Sequence, residues 1–151
     1  MKTTLNKIRE HKPCEYGWKK LLAYLGKTKA DNEPLAITTI LDSNGLDDAL
    51  WCLRAVEGHD REIRLYAVWC ARQVQHLMTD KRSLDALDVA ERFANGQATE
   101  DELAAAWAAG AARAAAGAAR AAAWDARAAA WDAARDAQEK QLRVVCAAIA
   151  K

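Results

Sequence analysis

Large apolar side chains recur every three or four residues through the first two thirds of the chain, which is the spacing of helices with one buried face. No run alternates apolar and polar positions as a half-buried strand does. The pattern therefore predicts an all-α fold whose first part is a compact bundle of about five short helices. These helices are expected to begin near Pro13, Leu35, Asp47, Asp60 and Ser83. The expected inward residues are Tyr16, Leu21, Leu22 and Leu25 in the first helix, and Ile63, Tyr66, Ala67, Cys70, Val74 and Leu77 in the fourth.

Residues that start and stop helices support these bounds. Gly26 and the pair Asn95–Gly96 are typical helix ends, and Ser83 is a typical N-cap. Thr99 stands three residues before Glu102, which is the spacing of a capping box. A further helix is therefore predicted to begin at about residue 99.

That further helix is dominated by alanine, since 22 of the 34 residues from Ala104 to Ala137 are alanine. Alanine is the best helix former but buries little area, so the high apolar fraction of 52% overstates the core. We predict a helical core at residues 1–98 and an Ala-rich helical extension at residues 99–151, forming one structural unit. The extension is expected to be a long helix, continuous or bent, whose last apolar face docks on the core.

The extension repeats every seven residues and carries a stripe of glycines followed by tryptophans. An antiparallel copy in one register sets Gly110 against Trp131 and Gly117 against Trp124, so each indole meets a close-approaching backbone. We therefore predict an antiparallel homodimer, or similar packing within one chain, with a solvated helix as the alternative. The candidate dimer or partner interface is Trp107, Gly110, Arg113, Gly117, Arg120, Trp124, Arg127 and Trp131.

The net charge of +1 argues against a general nucleic-acid binder, which needs a strong basic excess. The balance is uneven, because residues 1–40 carry 8 basic and 4 acidic groups while residues 41–100 carry 7 and 11. The basic start provides a second candidate contact face, for nucleic acid or an acidic protein, with a solvated face as the alternative. Its residues are Lys7, Lys12, Lys19 and Lys20.

No motif in the chain indicates an enzyme, a metal centre or a cofactor site. The four cysteines form no CxxC pair and are expected to be free, as in a cytoplasmic protein. Neither a signal peptide nor a membrane span is predicted. The cluster from His59 to Glu62 and the acidic group Asp42, Asp47 and Asp48 are interpreted as helix-capping residues, with a metal-dependent nuclease as the remaining enzyme alternative.

Three segments carry a specific combination of motifs, LDSNGLDDALWCLRAV (41–56), RLYAVWCARQVQHLM (64–78) and SLDALDVAERFANGQATEDELAAAWAA (83–109). With the repeats that follow them, they resemble the immunity-protein-five-like family of bacterial and phage immunity-protein domains, over residues 34–137. The resemblance implies a helical core and stoichiometric binding that neutralises a partner protein in the bacterial cytoplasm. It brings no active-site residues.

Two other functions stay open at this point. One is an anti-CRISPR-type inhibitor that a phage or mobile element directs against a host defence complex, in which the partner is a defence-complex subunit rather than a toxin. The other is a self-assembling helical scaffold. We expect a non-enzymatic inhibitor that binds a protein, forms a homodimer, and needs no cofactor, nucleic acid or membrane.

Overall fold

The computed structural model describes residues 1–108 and 129–149, with side chains at 1–106 and 133–149. In these residues eight α-helices accompany one short two-stranded sheet, which confirms the predicted all-α class. Contacts divide the chain into unit 1, Met1–His59 with the segment from Glu139 onward, and unit 2, Asp60–Gln138. The division predicted near residue 98 stays a prediction.

Unit 1 contains five short helical segments and the sheet. In chain order these are β1 (Lys2–Thr3), α1 (Leu5–Glu10), α2 (Glu15–Tyr24), β2 (Leu35–Ala36), α3 (Ile37–Asn44), α4 (Leu46–Cys52) and a 3₁₀ turn (Leu53–Ala55). The strands are antiparallel, with Lys2 opposite Ala36 and Thr3 opposite Leu35.

Unit 2 contains α5 (Asp60–Gln73), a 3₁₀ turn (Gln75–Leu77), α6 (Lys81–Ala94) and α7 (Glu100–Ala108). Helix α6 packs against both α5 and α7. Arg72 ties α5 to α6 through Asp88 and Glu91, each 2.6 Å away, and these two carboxylates raise the pKa of the guanidinium. The last helix, α8 (Ala129–Ala148), belongs to unit 2 up to Gln138 and to unit 1 from Glu139.

The core of unit 1 is built from aliphatic side chains at helical spacing. Ile37 and Ile40 of α3 and Leu5 and Ile8 of α1 are at most 1% exposed. Thr3 lies beside them and donates its buried hydroxyl to the Ala55 carbonyl oxygen. Helix α1 was missed by the periodicity because six residues offer only these two apolar positions, too few to define a face.

The C-terminal part of α8 completes that core. Leu142 is fully buried and Cys146 is 6% exposed, and both belong to unit 1 by contact. The expected docking of the last apolar face is therefore found, since unit 1 is formed by residues near both ends of the chain.

The predicted cap at Ser83 is wrong. Helix α6 begins two residues earlier, because Asp80 is the N-cap and its carboxylate accepts from the Arg82 backbone N–H at 2.9 Å. Ser83 lies inside the first turn and is buried. An aspartate three residues before a serine is an equally good cap, and one-dimensional spacing does not choose between them.

Two apolar residues expected on inward faces are exposed. Helix α5 ends at Gln73, so Leu77 leaves the helical register and is 41% exposed. Tyr16 is 79% exposed because Gly17 and Leu21, one helical turn apart, form the buried edge of α2 instead. The capping box at Thr99 is confirmed, with the Glu102 carboxylate accepting from the Thr99 N–H at 2.7 Å.

The four cysteines are free, as expected. Cys52 and Cys146 are buried, Cys70 is half-buried and Cys14 is exposed. In the described part of the chain, no helix combines the length and the apolar character needed to cross a membrane.

Leu142→Ala should lower the free energy of unfolding by about 2–5 kcal/mol, because it removes a fully buried side chain and leaves a cavity. Val144→Ala is the matched control, since Val144 lies two residues away on the same helix and is 59% exposed. Its effect should stay within about 0.5 kcal/mol. Urea unfolding of both variants measures the difference, and equal losses would contradict the assigned burial.

Candidate functional site

The tail interface predicted from the heptad lies outside the described side chains. This applies to Trp107, Gly110, Arg113, Gly117, Arg120, Trp124, Arg127 and Trp131. Dimerisation through these residues stays a prediction.

The predicted basic face falls on α1, α2 and the turn between them. Lys7 forms an ion pair with Glu57 at 2.6 Å, and Lys19 pairs with Glu15 one helical turn earlier. Lys12 and Lys20 are exposed and have no carboxylate partner among the described residues. Two of the four lysines are thus partly neutralised, and two keep their full charge.

The outer surface of α2 adds aromatic groups to these lysines. Tyr16, Lys20 and Tyr24 follow one another at four-residue spacing, so at about 100° per residue they fall within about 80° of one another around the helix. Tyr16 is 79% and Tyr24 is 59% exposed. We call these three residues the α2 stripe.

The α2 stripe was missed because Tyr16 had been counted with the apolar residues. The sequence does contain the missing signal. Gly17 and Leu21, with Trp18 and Leu25 beside them, make a complete inward face, and an inward Gly17 places Tyr16 on the outside.

The inner surface of α2 lines a cleft of about 110 Å³. The opposite wall comes from α4. We call it the α2–α4 cleft, and its principal lining residues are Gly17, Trp18, Leu21, Asp48, Trp51 and Cys52. Both tryptophans are half-buried, as expected for residues at the edge of the core.

A small polar network holds the walls of the cleft in place. Asn44, at the end of α3, donates to the Gly17 carbonyl oxygen at 2.8 Å and to Asp48 Oδ2 at 2.7 Å. Ser43 donates its hydroxyl to Asn44 Oδ1 at 2.8 Å, which orients the amide. The network links three helices through one side chain, that of Asn44.

Gly17 makes this arrangement possible, because a Cβ at that position would lie 2.7 Å from Asp48 Oδ2 and 3.2 Å from Cys14 Sγ. Cys14 is the N-cap of α2, and its sulfur accepts from the Gly17 N–H at 3.3 Å. Gly17 therefore contacts both the cap of its own helix and a carboxylate of α4.

The thiol of Cys52, which lines this cleft, is unreactive near neutral pH. Burial, with a smaller contribution from the negative charge of Asp48, raises its pKa from an ordinary value of 9.0 to about 12. Since the thiolate is the nucleophile and the metal ligand, Cys52 stays protonated and unreactive near neutral pH.

Metal-ligating side chains do not gather anywhere in residues 1–106 and 133–149, where no group of three His, Cys, Asp or Glu could hold an ion. The acidic residues interpreted from the sequence as helix caps make other contacts. Asp48 accepts from Asn44, and Asp42 pairs with Arg143 of α8. The interpretation of these aspartates as helix caps is wrong, because Gly45 is the N-cap of α4 and Asp47 and Asp48 lie inside its first turn.

A second and wider cleft of about 520 Å³ lies in unit 1, lined in part by Lys2, His59, Arg143 and Cys146. Asp42 and Glu139 both pair with Arg143 and raise the pKa of its guanidinium. Burial raises the pKa of the Cys146 thiol. The cation is therefore already compensated, and the thiol is protonated at neutral pH.

Comparison of the chain with protein-family models, with curated proteins and with solved structures found no significant match.

Gly17→Ala should lower the free energy of unfolding by up to about 2 kcal/mol, because overpacking costs about 1–3 kcal/mol and the better helix propensity of alanine returns about 1 kcal/mol. In an Asp48→Ala background the same substitution should be neutral or stabilising, since the clashing carboxylate is gone. Denaturant unfolding of the four proteins gives the coupling energy. A coupling near zero would contradict the close contact between Gly17 and Asp48.

The Cys52 thiol should make stability fall at alkaline pH. Its pKa is about 12 in the folded protein and about 9 in the unfolded chain, so between these values the unfolded state binds fewer protons and is favoured. We expect wild type to lose stability relative to Cys52→Ala from pH 9 upward, at up to about 1.4 kcal/mol per pH unit. Urea unfolding of both proteins at pH 8, 9 and 10 measures this, and parallel curves would refute it.

Proposed function

We propose that this chain is a non-enzymatic protein that binds a partner protein and neutralises it in a stoichiometric complex. The α2 stripe carries the proposal. Two tyrosines that expose 79% and 59% of their surface flank a lysine with no carboxylate partner among the described residues. Tyrosine combines a large apolar ring with a polar end, and it is enriched among the residues that dominate binding energies at protein interfaces.

The charge around the stripe indicates the chemistry of the partner. Lys20 lies between the two tyrosines, and exposed Lys12 lies just before α2. Cations beside aromatic rings complement an acidic surface that also offers apolar contacts. A toxin or a subunit of a defence complex with such a surface fits the binding role that the family resemblance implies.

The same surface favours a protein over a nucleic acid. Two of the four lysines of the predicted basic face are paired with Glu57 and Glu15, which reduces the local positive charge. General nucleic-acid binding draws its affinity from many uncompensated cations. Two exposed lysines beside two phenols match a limited acidic patch on a protein better.

Removing both phenol rings should weaken the complex about thirtyfold or more, since hot-spot residues contribute about 2 kcal/mol or more. The test captures the partner from the native host with the intact chain, then titrates the purified partner against wild type and Tyr16→Ala/Tyr24→Ala. The partner should lose its activity at an equimolar ratio. Both tyrosines are exposed, so the variant should keep its unfolding free energy within about 0.5 kcal/mol.

Val144→Ala is the control, because it removes an exposed apolar side chain from α8 and should leave affinity unchanged. A partner that stays fully active in the complex would contradict the inhibitory role. A double tyrosine variant that binds as wild type does would remove the α2 stripe from the interface. Self-association with no partner captured would instead support the scaffold alternative.

A further inference from the structure

The α2–α4 cleft contains one unused carboxylate oxygen in an otherwise uncharged lining. Among the residues that the structure describes, Asp48 is the only charged one that lines it. Asn44 holds Oδ2 of that carboxylate at 2.7 Å, and Oδ1 accepts no hydrogen bond from the described residues. Because the network fixes the orientation of the carboxylate, Oδ1 is a preorganised acceptor beside apolar walls.

The size of the cleft restricts what it can hold. One water molecule occupies about 30 Å³ in the liquid, so 110 Å³ corresponds to about four water-sized groups. Sites for drug-sized ligands and cofactors begin at about 300 Å³. The cleft therefore fits the end of a single side chain, and a nucleotide or a sugar is too large for it.

The walls suit a side chain that is apolar along its length and charged at its end. The half-buried indole of Trp18 offers surface to a methylene chain. The chain already makes a related contact at the other tryptophan, where the Arg54 guanidinium lies 4.4 Å from the centroid of the Trp51 ring. Arg54 does not line the cleft, so Asp48 sets the charge of its lining.

We propose that the α2–α4 cleft is a recognition pocket for one basic side chain, arginine or lysine, of a bound protein. The methylene stem packs against the indole of Trp18, and the cationic head donates to Asp48 Oδ1. A charge-assisted hydrogen bond to a half-buried carboxylate is stronger than one between neutral groups, which gives the pocket its selectivity for a cation. The side chain belongs to the partner protein proposed above, so this role of the cleft rests on that function.

The pocket can be tested without the partner, by adding N-acetyl-arginine methylamide to the full-length protein and following the Gly17 amide and Trp18 indole signals by NMR. These signals should shift saturably. The citrulline analogue has the same shape without the charge, and its affinity should be lower by about tenfold or more. The norleucine analogue keeps the apolar stem alone and should be similarly weak. Equal binding of the arginine and citrulline compounds would overturn the proposal.

Asp48→Asn preserves the shape of the side chain and should weaken arginine binding by about tenfold or more. Asp47→Asn changes the net charge identically at the neighbouring position, which does not line the cleft, and should stay within about twofold of wild type. Equal effects of the two variants would show that only the net charge influences binding, and they would overturn the proposed pocket. The citrulline comparison uses only wild type, so it decides the question even if Asp48→Asn unfolds.

Failure of the pocket and failure of the proposed function give different results. If the protein inhibits its partner but does not discriminate arginine from citrulline, the proposed function stands and the proposed pocket is rejected. If the protein binds the arginine compound selectively but neutralises no partner, the cation site stands and the inhibitory role is rejected.

Discussion

The close contact between Gly17 of α2 and Asp48 of α4 is the constraint on which the described surfaces of unit 1 depend. A Cβ at position 17 would lie 2.7 Å from Asp48 Oδ2, so a larger residue at that position requires the carboxylate to move. Asn44 then bridges the Gly17 carbonyl oxygen and Asp48 Oδ2, and it fixes both. With Gly17 and Leu21 turned inward, helical geometry places Tyr16, Lys20 and Tyr24 on the outside. One contact thus forms the α2–α4 cleft and exposes the α2 stripe.

Unit 1 also depends on a segment that is distant in sequence. The fully buried Leu142 of α8 belongs to the same core as α1 and α3, and Arg143 pairs with Asp42, 101 residues earlier in the chain. The buried core residues of unit 1 offset the entropic cost of bringing these distant segments together.

In the proposed function, the two surfaces of α2 contact complementary parts of one partner. The α2 stripe presents aromatic rings and a cation, which complements an acidic surface with apolar contacts. The α2–α4 cleft presents a carboxylate in an apolar lining, which complements a basic side chain. A partner that contacts both the α2 stripe and the α2–α4 cleft needs an acidic patch and one protruding basic residue. Matching two opposite charges at two places contributes more to specificity than to affinity.

Apolar spacing and helix-capping residues were sufficient to predict the all-α class, the end of α6 at Asn95 and the capping box at Thr99, because these depend on interactions within a few residues. They failed at Ser83, where two cap residues compete three positions apart, and at Tyr16 and Leu77, where only packing decides which apolar side chain is buried. The cleft could not be predicted because Gly17, Asn44 and Asp48 come from three helices, and no local pattern encodes their contact. Local sequence therefore determined which segments are helical. The tertiary structure alone decided which faces meet and which remain exposed, since burial is a property of the assembled core.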